Sequence, residues 1–356
     1  IVLQSLLTLP LQNFELLNQT ENPPKDAILL VNLGSPNSAR LGSVYRYLTE
    51  FLNDPKVIDI PFLARLLLVN LVIIPIRVRN STKAYKLLWT GDGSPLIYHS
   101  RQQAELLQSR FPNADIHWAM RYQKPGLTKT LKKIKAGNYK RLLVVPLFPH
   151  YAEASSGSVL ARSKKVMKGF NKFPVKYVRD FPTHNGYIAS LIDRADRFDI
   201  SSFDHVVMSY HGLPLRHLEK IHGGDSCGPR ECTPDECALN SLCYQGQCYE
   251  TSRALAQGLG LKKNQYTVSF QSRLNKKWTE PFTDKLVIEL AQKGAKRVLV
   301  FSPAFVADCL ETTVEIGDEF SELFVENGGE KLQLVPGLNS SERWIDALTD
   351  LVEKSL

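Results

Sequence analysis

No apolar run in this chain approaches the length of a membrane span. The longest, Leu66 to Ile76, covers 11 residues and is interrupted by Asn70 and Pro75, whereas crossing needs ~20 apolar residues. No run of consecutive lysines and arginines marks a nucleic-acid arm, so no nucleic-acid partner is expected. Cysteine is scarce outside one segment: five of the six lie between Cys227 and Cys248. A disulfide scaffold would spread them through a small secreted chain. No secretory leader is expected either, for no basic n-region and small-residue cleavage site stand at the N-terminus. Disordered, collagen-like and coiled-coil classes are excluded by 43% hydrophobic and 22% charged residues.

What is present is an ordinary globular composition over 356 residues, enough for two domains or one large α/β unit. The 44 basic residues exceed the 36 acidic ones, giving a net charge of +8, which attracts anions without choosing among them. Residues 1–26 have weak periodicity and end in Asn22-Pro23-Pro24, which reads as an N-terminal extension. Continuous apolar runs follow at Ala27–Gly34, Ile116–Tyr122, Arg141–Pro149, Val175–Phe181, His205–Gly212, Tyr266–Arg273, Arg297–Ala304 and Leu332–Leu338. Such runs predict strands buried on both faces of a parallel sheet. Helix-patterned stretches, such as Gln102–Ser109 and Leu127–Ala136, lie between them, so the class is α/β.

A faint repeat is legible. Arg121-Tyr122, a proline, a helix, Gly137 and RLLVVP in one half answer Gln271-Ser272-Arg273, a proline, a helix, Gly294 and RVLVFSP in the other. This predicts an N-terminal lobe over 27–170 and a C-terminal lobe over 171–340. The second carries a Cys-rich insertion at about 223–248, and a C-terminal helix occupies 341–356. Two similar Rossmann-like lobes put a cleft at the carboxyl ends of their strands, where open α/β sheets bind ligands. The run Leu66–Ile76 reads either as a buried helix or as an apolar lip touching a membrane surface or a greasy substrate.

Three constellations carry chemistry. His211, in Ser209-Tyr210-His211-Gly212-Leu213-Pro214, ends a buried strand and is suited to take a proton or bind a metal. From Asp308 to Glu326 there are seven acids and no base, with Glu311, Glu315 and Glu319 four apart on one helical face. Like charges so placed suggest a cation as the missing partner, or else a solvated face with bases from elsewhere. Cys227, Cys232, Cys237, Cys243 and Cys248 are spaced wider than the paired cysteines of a structural zinc site. An iron–sulfur cluster fits this spacing, with zinc, disulfides or free thiols as alternatives.

Together these segments resemble the ferrochelatases, enzymes that insert ferrous iron into a porphyrin. The resemblance runs from about Ala27 to Leu351. It is carried by VNLGSP (31–36), YLTEFLNDPKVIDIP (47–61), WTGDGSPL (89–96), MRY (120–122), PLFPHY (146–151), SYHGLP (209–214), FQSR (270–273) and SPAFVADCLET (302–312). It implies a two-lobed chelatase fold and the conversion of protoporphyrin IX and Fe2+ to protohaem. His211 and Glu311 match the family's catalytic pair, and Glu315, Glu319 and Asp308 an iron or proton conduit. Arg121, Tyr122, Tyr151, Gln271, Ser272 and Trp278 resemble positions lining the porphyrin, and Phe62–Ile76 the lip over the cleft. Cys309 stands where animal-type relatives have a second histidine, which points to a bacterial member. Relatives without a cluster lack the insertion but keep a cysteine resembling Cys248. The resemblance therefore implies a [2Fe-2S] cluster on Cys227, Cys232, Cys237 and Cys243, with Cys248 as the alternative ligand. It further implies a cytoplasmic enzyme, peripheral at the inner membrane or in contact with neighbouring haem-pathway enzymes. Rival readings are a chelatase for coproporphyrin or cobalt, and a non-catalytic haem- or iron-sensing protein.

Overall fold

The computed structural model describes residues 24–224 and 231–356; residues 1–23 and Cys227 lie outside the described residues, as does the Cys237 side chain. Among the described residues the chain forms two four-stranded sheets. The first takes β1 (Lys25–Asn32), β2 (Ala114–Met120), β3 (Tyr139–Pro146) and β4 (Val175–Tyr177) in the order β2-β1-β3-β4. The second takes β5 (His205–His211), β6 (Tyr266–Gln271), β7 (Arg297–Phe301) and β8 (Lys331–Leu334) in the order β6-β5-β7-β8. Every pairing is parallel. Each apolar run read from the sequence contains a strand. The runs overshoot at β4 and β8, where the last apolar residues leave the ladder and pack as loops.

Helices cover the sheets because their apolar residues recur at helical spacing. In the first lobe these are α1 (Leu41–Leu52), α2 (Phe62–Leu67), α3 (Ile74–Leu88), α4 (Pro95–Arg110), α5 (Leu127–Ala136) and α6 (Ser158–Met167). Leu127, Leu131 and Ile134 of α5 form one buried stripe and meet Ala27, Leu29 and Val31 of β1. Further on come α7 (Asn185–Ala195), α8 (Leu215–Ile221), α9 (Pro234–Leu239), α10 (Tyr244–Gly258), α11 (Thr283–Gln292), α12 (Ser321–Glu326) and α13 (Glu342–Ser355). Trp344 of α13 is fully buried against Phe181 and Tyr187, with ring centroids 6.0 and 6.3 Å apart.

The repeat is a repeat of topology. In both sheets the strand beside the central one is followed by a turn that bonds back to it: Met120 N donates to Pro125 O at 2.7 Å, and Phe270 N to Pro281 O at 2.8 Å. Met120 pairs with Asn32 and Phe270 with Tyr210. Two residues beyond each partner sits a glycine, Gly34 or Gly212. A Cβ on Gly34 would lie 2.1 Å from Tyr122 O, and one on Gly212 would lie 2.8 Å from Gln271 O. Each glycine lets a central strand leave its sheet against the neighbouring backbone.

The segment Phe62–Leu88 is helical throughout, with π-type hydrogen bonding over Leu68–Ile73. The buried-helix reading of this run is corrected. Val69 and Ile74 are buried, but Phe62, Leu63, Leu71 and Ile76 are 65–70% exposed, so the segment presents an apolar face outward. Among the described residues no helix is long and apolar enough to cross a membrane.

Gly34 also has φ +114°. Gly34→Ala combines a strained backbone with a clash against backbone. It is expected to destabilise the fold by about 2 kcal/mol or more, measured as a lower midpoint in denaturant unfolding.

Candidate active site

The carboxyl ends of the central strands of both sheets open on one cleft. β1 runs into it through Leu33, Gly34 and Ser35, and β5 through His211 and Leu213. α1 and α3 contribute Tyr47, Phe51, Tyr85 and Leu88, and the loop after β7 contributes Phe305 through Ala307. The first lobe gives a wall of aromatic rings. Tyr47 stacks on Phe51 with centroids 5.8 Å apart and meets Tyr85 edge-on at 6.1 Å. Burial above all, with Glu311 nearby, pushes both phenols up, so they stay protonated. Among the described residues, no lysine or arginine lines the cleft.

His211 and Glu311 both line this cleft. His211 Nδ1 is 2.7 Å from the carbonyl of Gly212. A carbonyl only accepts, so Nδ1–H donates and the neutral ring keeps its lone pair on Nε2. Trp278 and Phe305 flank the imidazole, each with its centroid 6.4 Å away. The main-chain oxygen of His211 accepts from the Tyr244 hydroxyl at 2.8 Å.

Glu311 lies in the first turn of an 11-residue π-type helix, Leu310–Phe320. π-bulges cluster at functional sites. Its start is clasped by Asp308, whose carboxylate accepts from Gly337 N at 3.0 Å, Thr312 Oγ1 at 3.2 Å and Asn339 Nδ2 at 2.6 Å. This sets Asp308 apart from the glutamate ladder. Glu311 lines the cleft, Glu315 is half-buried behind it, and Glu319 is exposed. Glu315 accepts from Ser272 N at 2.8 Å, from the Ser272 hydroxyl, and from Gln271 Nε2 at 3.2 Å. Burial pushes its carboxyl up, and Glu311 adds to the rise; the Ser272 bond and His211 oppose it.

Gln271 binds both parts of the site. Its Nε2 donates to Glu311 O at 2.7 Å, its Oε1 accepts from Ser209 of β5 at 2.8 Å, and its main-chain oxygen accepts from Gly212 N at 2.8 Å. Gln271 and Ser272, expected on the macrocycle, are instead turned to the glutamates and lie outside the lining set.

Arg121 and Tyr122 meet on a buried carboxylate beside the aromatic wall. Tyr122 is fully buried, and the Arg121 side chain is 8% exposed and ion-paired with Asp54. The Tyr122 hydroxyl and Ser158 Oγ donate to the same Asp54 oxygen at 2.9 and 2.6 Å, and Arg121 Nε donates to Ser158 Oγ at 2.7 Å. Burial alone would raise the Asp54 carboxyl, but these bonds outweigh it and hold it below its usual range. Tyr151 is likewise engaged, donating to Glu153 at 2.5 Å and bonding Gln247 through its main-chain N–H at 2.6 Å. The cleft aromatics Tyr47, Tyr85 and Phe305 were missed because helix-borne tyrosines read as core. The signal for Tyr47 and Phe305 was present in the motifs YLTEFLNDP and SPAFVAD, whereas Tyr85 lies in neither.

In the cysteine segment, Cys232 and Cys243 are buried and hydrogen-bonded to each other. Cys243 precedes α10 and accepts from Gly246 N at 3.3 Å. The Cys232 bond first, then Gly246 N and His222, pull its thiol down to about 5. A thiolate at neutral pH is what a metal ligand must be, so this donor pair fits a thiolate-held centre. Cys248 is fully buried in the core that holds Tyr187, Tyr210 and Tyr244. Among the described residues, no group of three or more His, Cys, Asp or Glu is gathered as for a metal ion.

A sequence profile described as ferrochelatase matches residues 25–356. The chain belongs to the ferrochelatase family. It is 40% identical over 338 residues to the ferrochelatase of Ectopseudomonas mendocina (strain ymp), covering 92% of this chain and 98% of that one. It is also 40% identical over 335 residues to the ferrochelatase of Pseudomonas fluorescens (strain Pf0-1), with the same coverage of 92% and 98%. Among solved structures it is similar to SirB from Bacillus subtilis with Fe3+, with a TM-score of 0.55 and 11% identity, covering 93% of this chain and 95% of that one. That likeness shows the chelatase-type two-lobed α/β fold. Family membership makes the protein a metal chelatase.

Two outcomes follow. Asp54→Ala leaves the Arg121 guanidinium buried without its carboxylate and should cost about 3–5 kcal/mol, read in thermal and denaturant unfolding. Glu315 has a raised carboxyl pKa, so the folded state holds its proton more tightly than the unfolded chain. Its contribution is fully favourable below the unfolded value near 4.5 and is lost as pH rises through the higher folded value. Glu315→Gln should therefore be more stable than wild type at pH 8, with the advantage vanishing as pH falls below about 4.5; melting curves across that range test it.

Proposed function

We propose that the cleft binds protoporphyrin IX and that His211 and Glu311 carry the insertion of Fe2+ to give protohaem. The observation that carries this reading is an imidazole with an open Nε2 lone pair and a carboxylate in one otherwise apolar, aromatic-walled cavity. The free macrocycle is flat, apolar and carries two pyrrole N–H groups. Insertion of Fe2+ releases two protons and leaves the metal's oxidation state unchanged. Burial against Tyr47, Tyr85 and Phe305 supplies binding energy that offsets bending the ring. His211 Nε2 accepts one proton. Glu311 accepts the other and hands it along Glu315 and Glu319, whose increasing exposure supports a route to solvent. The same oxygens suit arriving Fe2+. The described lining holds no cation, which supports propionates that extend to the cleft mouth, and Trp278 acts by packing on His211.

We assign Cys232 and Cys243, with Cys227 and Cys237 from the flanking segments, as the ligands of a [2Fe-2S] cluster. The adjoining thiols and the depressed Cys243 pKa support this. When bound, such a cluster supplies a redox-sensitive cross-link, and insertion needs no electron from it. The lobe division at about residue 170 and a cytoplasmic location belong to the same reading. The exposed Phe62, Leu63, Leu71 and Ile76 beside exposed Arg77 and Arg79 support peripheral contact with an anionic membrane surface.

An anaerobic assay with protoporphyrin and Fe2+ tests the reaction. His211→Ala should reduce turnover by at least about 100-fold, as for loss of a general base, while porphyrin still quenches. Full activity in this variant would remove His211 from the centre. Cys232→Ser should lose visible cluster absorbance and melt at lower temperature. Wild-type protein purified anaerobically without bound iron would defeat the cluster assignment.

A further inference from the structure

The peptide that follows His211 is held at both of its polar groups. Its oxygen, His211 O, accepts from the Tyr244 hydroxyl at 2.8 Å, and its N–H, from Gly212, donates to Gln271 O at 2.8 Å. The next peptide is held as well. Gly212 O takes Nδ1–H of His211 at 2.7 Å, and Leu213 N donates to Thr279 Oγ1 at 3.0 Å. The bond from the imidazole to Gly212 O closes a ring of atoms that passes through the 211–212 peptide. Tilting that peptide therefore moves Nδ1 relative to its acceptor, and with it the direction of the Nε2 lone pair. Gln271 and Thr279 belong to β6 and the loop after it, whereas Tyr244 reaches in from the start of α10. Its side chain lines the cleft and is 4% exposed. Burial pushes the phenol well above its ordinary range, so the hydroxyl keeps its one proton and gives it to the carbonyl. The Cys248 thiol, one turn along α10, bonds the same hydroxyl.

We propose that Tyr244 is a positioning residue for metal insertion: its hydroxyl fixes the 211–212 peptide and so aims Nε2 of His211 at the bound macrocycle. This rests on the reading of the cleft as a tetrapyrrole site with His211 as a proton acceptor. In this role Tyr244 exchanges no proton with the substrate and acts through His211. The effect belongs to the chemical step, because a misaimed lone pair leaves unchanged the apolar walls that bind the ring. Removing the hydroxyl therefore lowers kcat rather than porphyrin affinity.

The test compares Tyr244→Phe with Tyr210→Phe in the anaerobic assay with protoporphyrin and Fe2+, with porphyrin binding and melting temperature measured on each. Tyr210 is a fully buried tyrosine next to His211 in sequence, and its hydroxyl bonds Ser252 Oγ at 2.8 Å. Each substitution thus removes one buried hydrogen bond and keeps the ring. Tyr244→Phe should lower kcat roughly tenfold, the worth of one hydrogen bond, with the porphyrin KM within about twofold. Tyr210→Phe should lose as much melting temperature and keep kcat within about twofold. p-Aminophenylalanine installed at position 244 retains a donor on the same ring and should recover most of the lost kcat. An unchanged kcat in Tyr244→Phe, an equal loss in both phenylalanine variants, or a loss carried by KM would overturn the proposal while leaving the cleft reading intact. Wild type that binds no porphyrin, or full turnover in His211→Ala, would instead overturn the cleft reading itself.

Discussion

The side chain of Gln271 holds two chain segments at a fixed separation. Its amide N–H groups reach Glu311 O and the Glu315 carboxylate, and its oxygen takes the Ser209 hydroxyl from β5. β5 ends in His211, and Glu311 lies in the first turn of the π-type helix. The relative position of the imidazole and the two glutamates thus depends on one buried amide with all its hydrogen bonds made. Glu315 raises the electrostatic cost of the site, since burial first and the neighbouring Glu311 next disfavour its charge. Gln271, Ser272 and the clasp at Asp308 supply the rigidity that keeps the arrangement from relaxing outward.

The same economy of partners explains the first lobe. Asp54 gathers Arg121, Tyr122 and Ser158 on one carboxylate oxygen. That pins the turn after β2 to the end of α1, and α1 carries the cleft aromatics Tyr47 and Phe51. A polar network behind the wall therefore orients an apolar surface in front of it.

The legible parts of the sequence were those set by local pattern. Buried parallel strands announce themselves as apolar runs, and His211 was readable because a strand ending in His-Gly must open at a sheet's carboxyl edge. Seven acids without a base marked the face of Glu311, Glu315 and Glu319, and the family resemblance singled out Glu311 on it. What escaped depends on which way a side chain turns once a strand ends. Arg121, Tyr122, Gln271 and Ser272 all sit at such ends, and rotation about a few backbone bonds separates facing the cavity from facing a neighbouring carboxylate. The partners of Asp308 lie beyond local pattern too: Gly337 and Asn339 are about thirty residues away in sequence. The π-type turns have no spacing signature, because the extra residue in each turn leaves the apolar pattern nearly helical. The run Phe62–Ile76 was ambiguous by composition, since apolar content does not say which face has a partner.

The duplicated topology has one asymmetric consequence. Aligning Met120 with Phe270 aligns Asn32 with Tyr210, and hence Leu33 with His211 and Gly34 with Gly212. Where one lobe offers a proton acceptor, its counterpart offers a methyl-bearing hydrocarbon. A flat ligand between them meets chemically unlike banks. On the function proposed above, the two faces of a planar ring, equivalent in solution, become distinguishable on binding, and a metal ion delivered along the glutamates approaches from one of them only. Sidedness of this kind needs no extra recognition element. It follows from two copies of one supersecondary unit keeping their glycines and diverging at the residue before them.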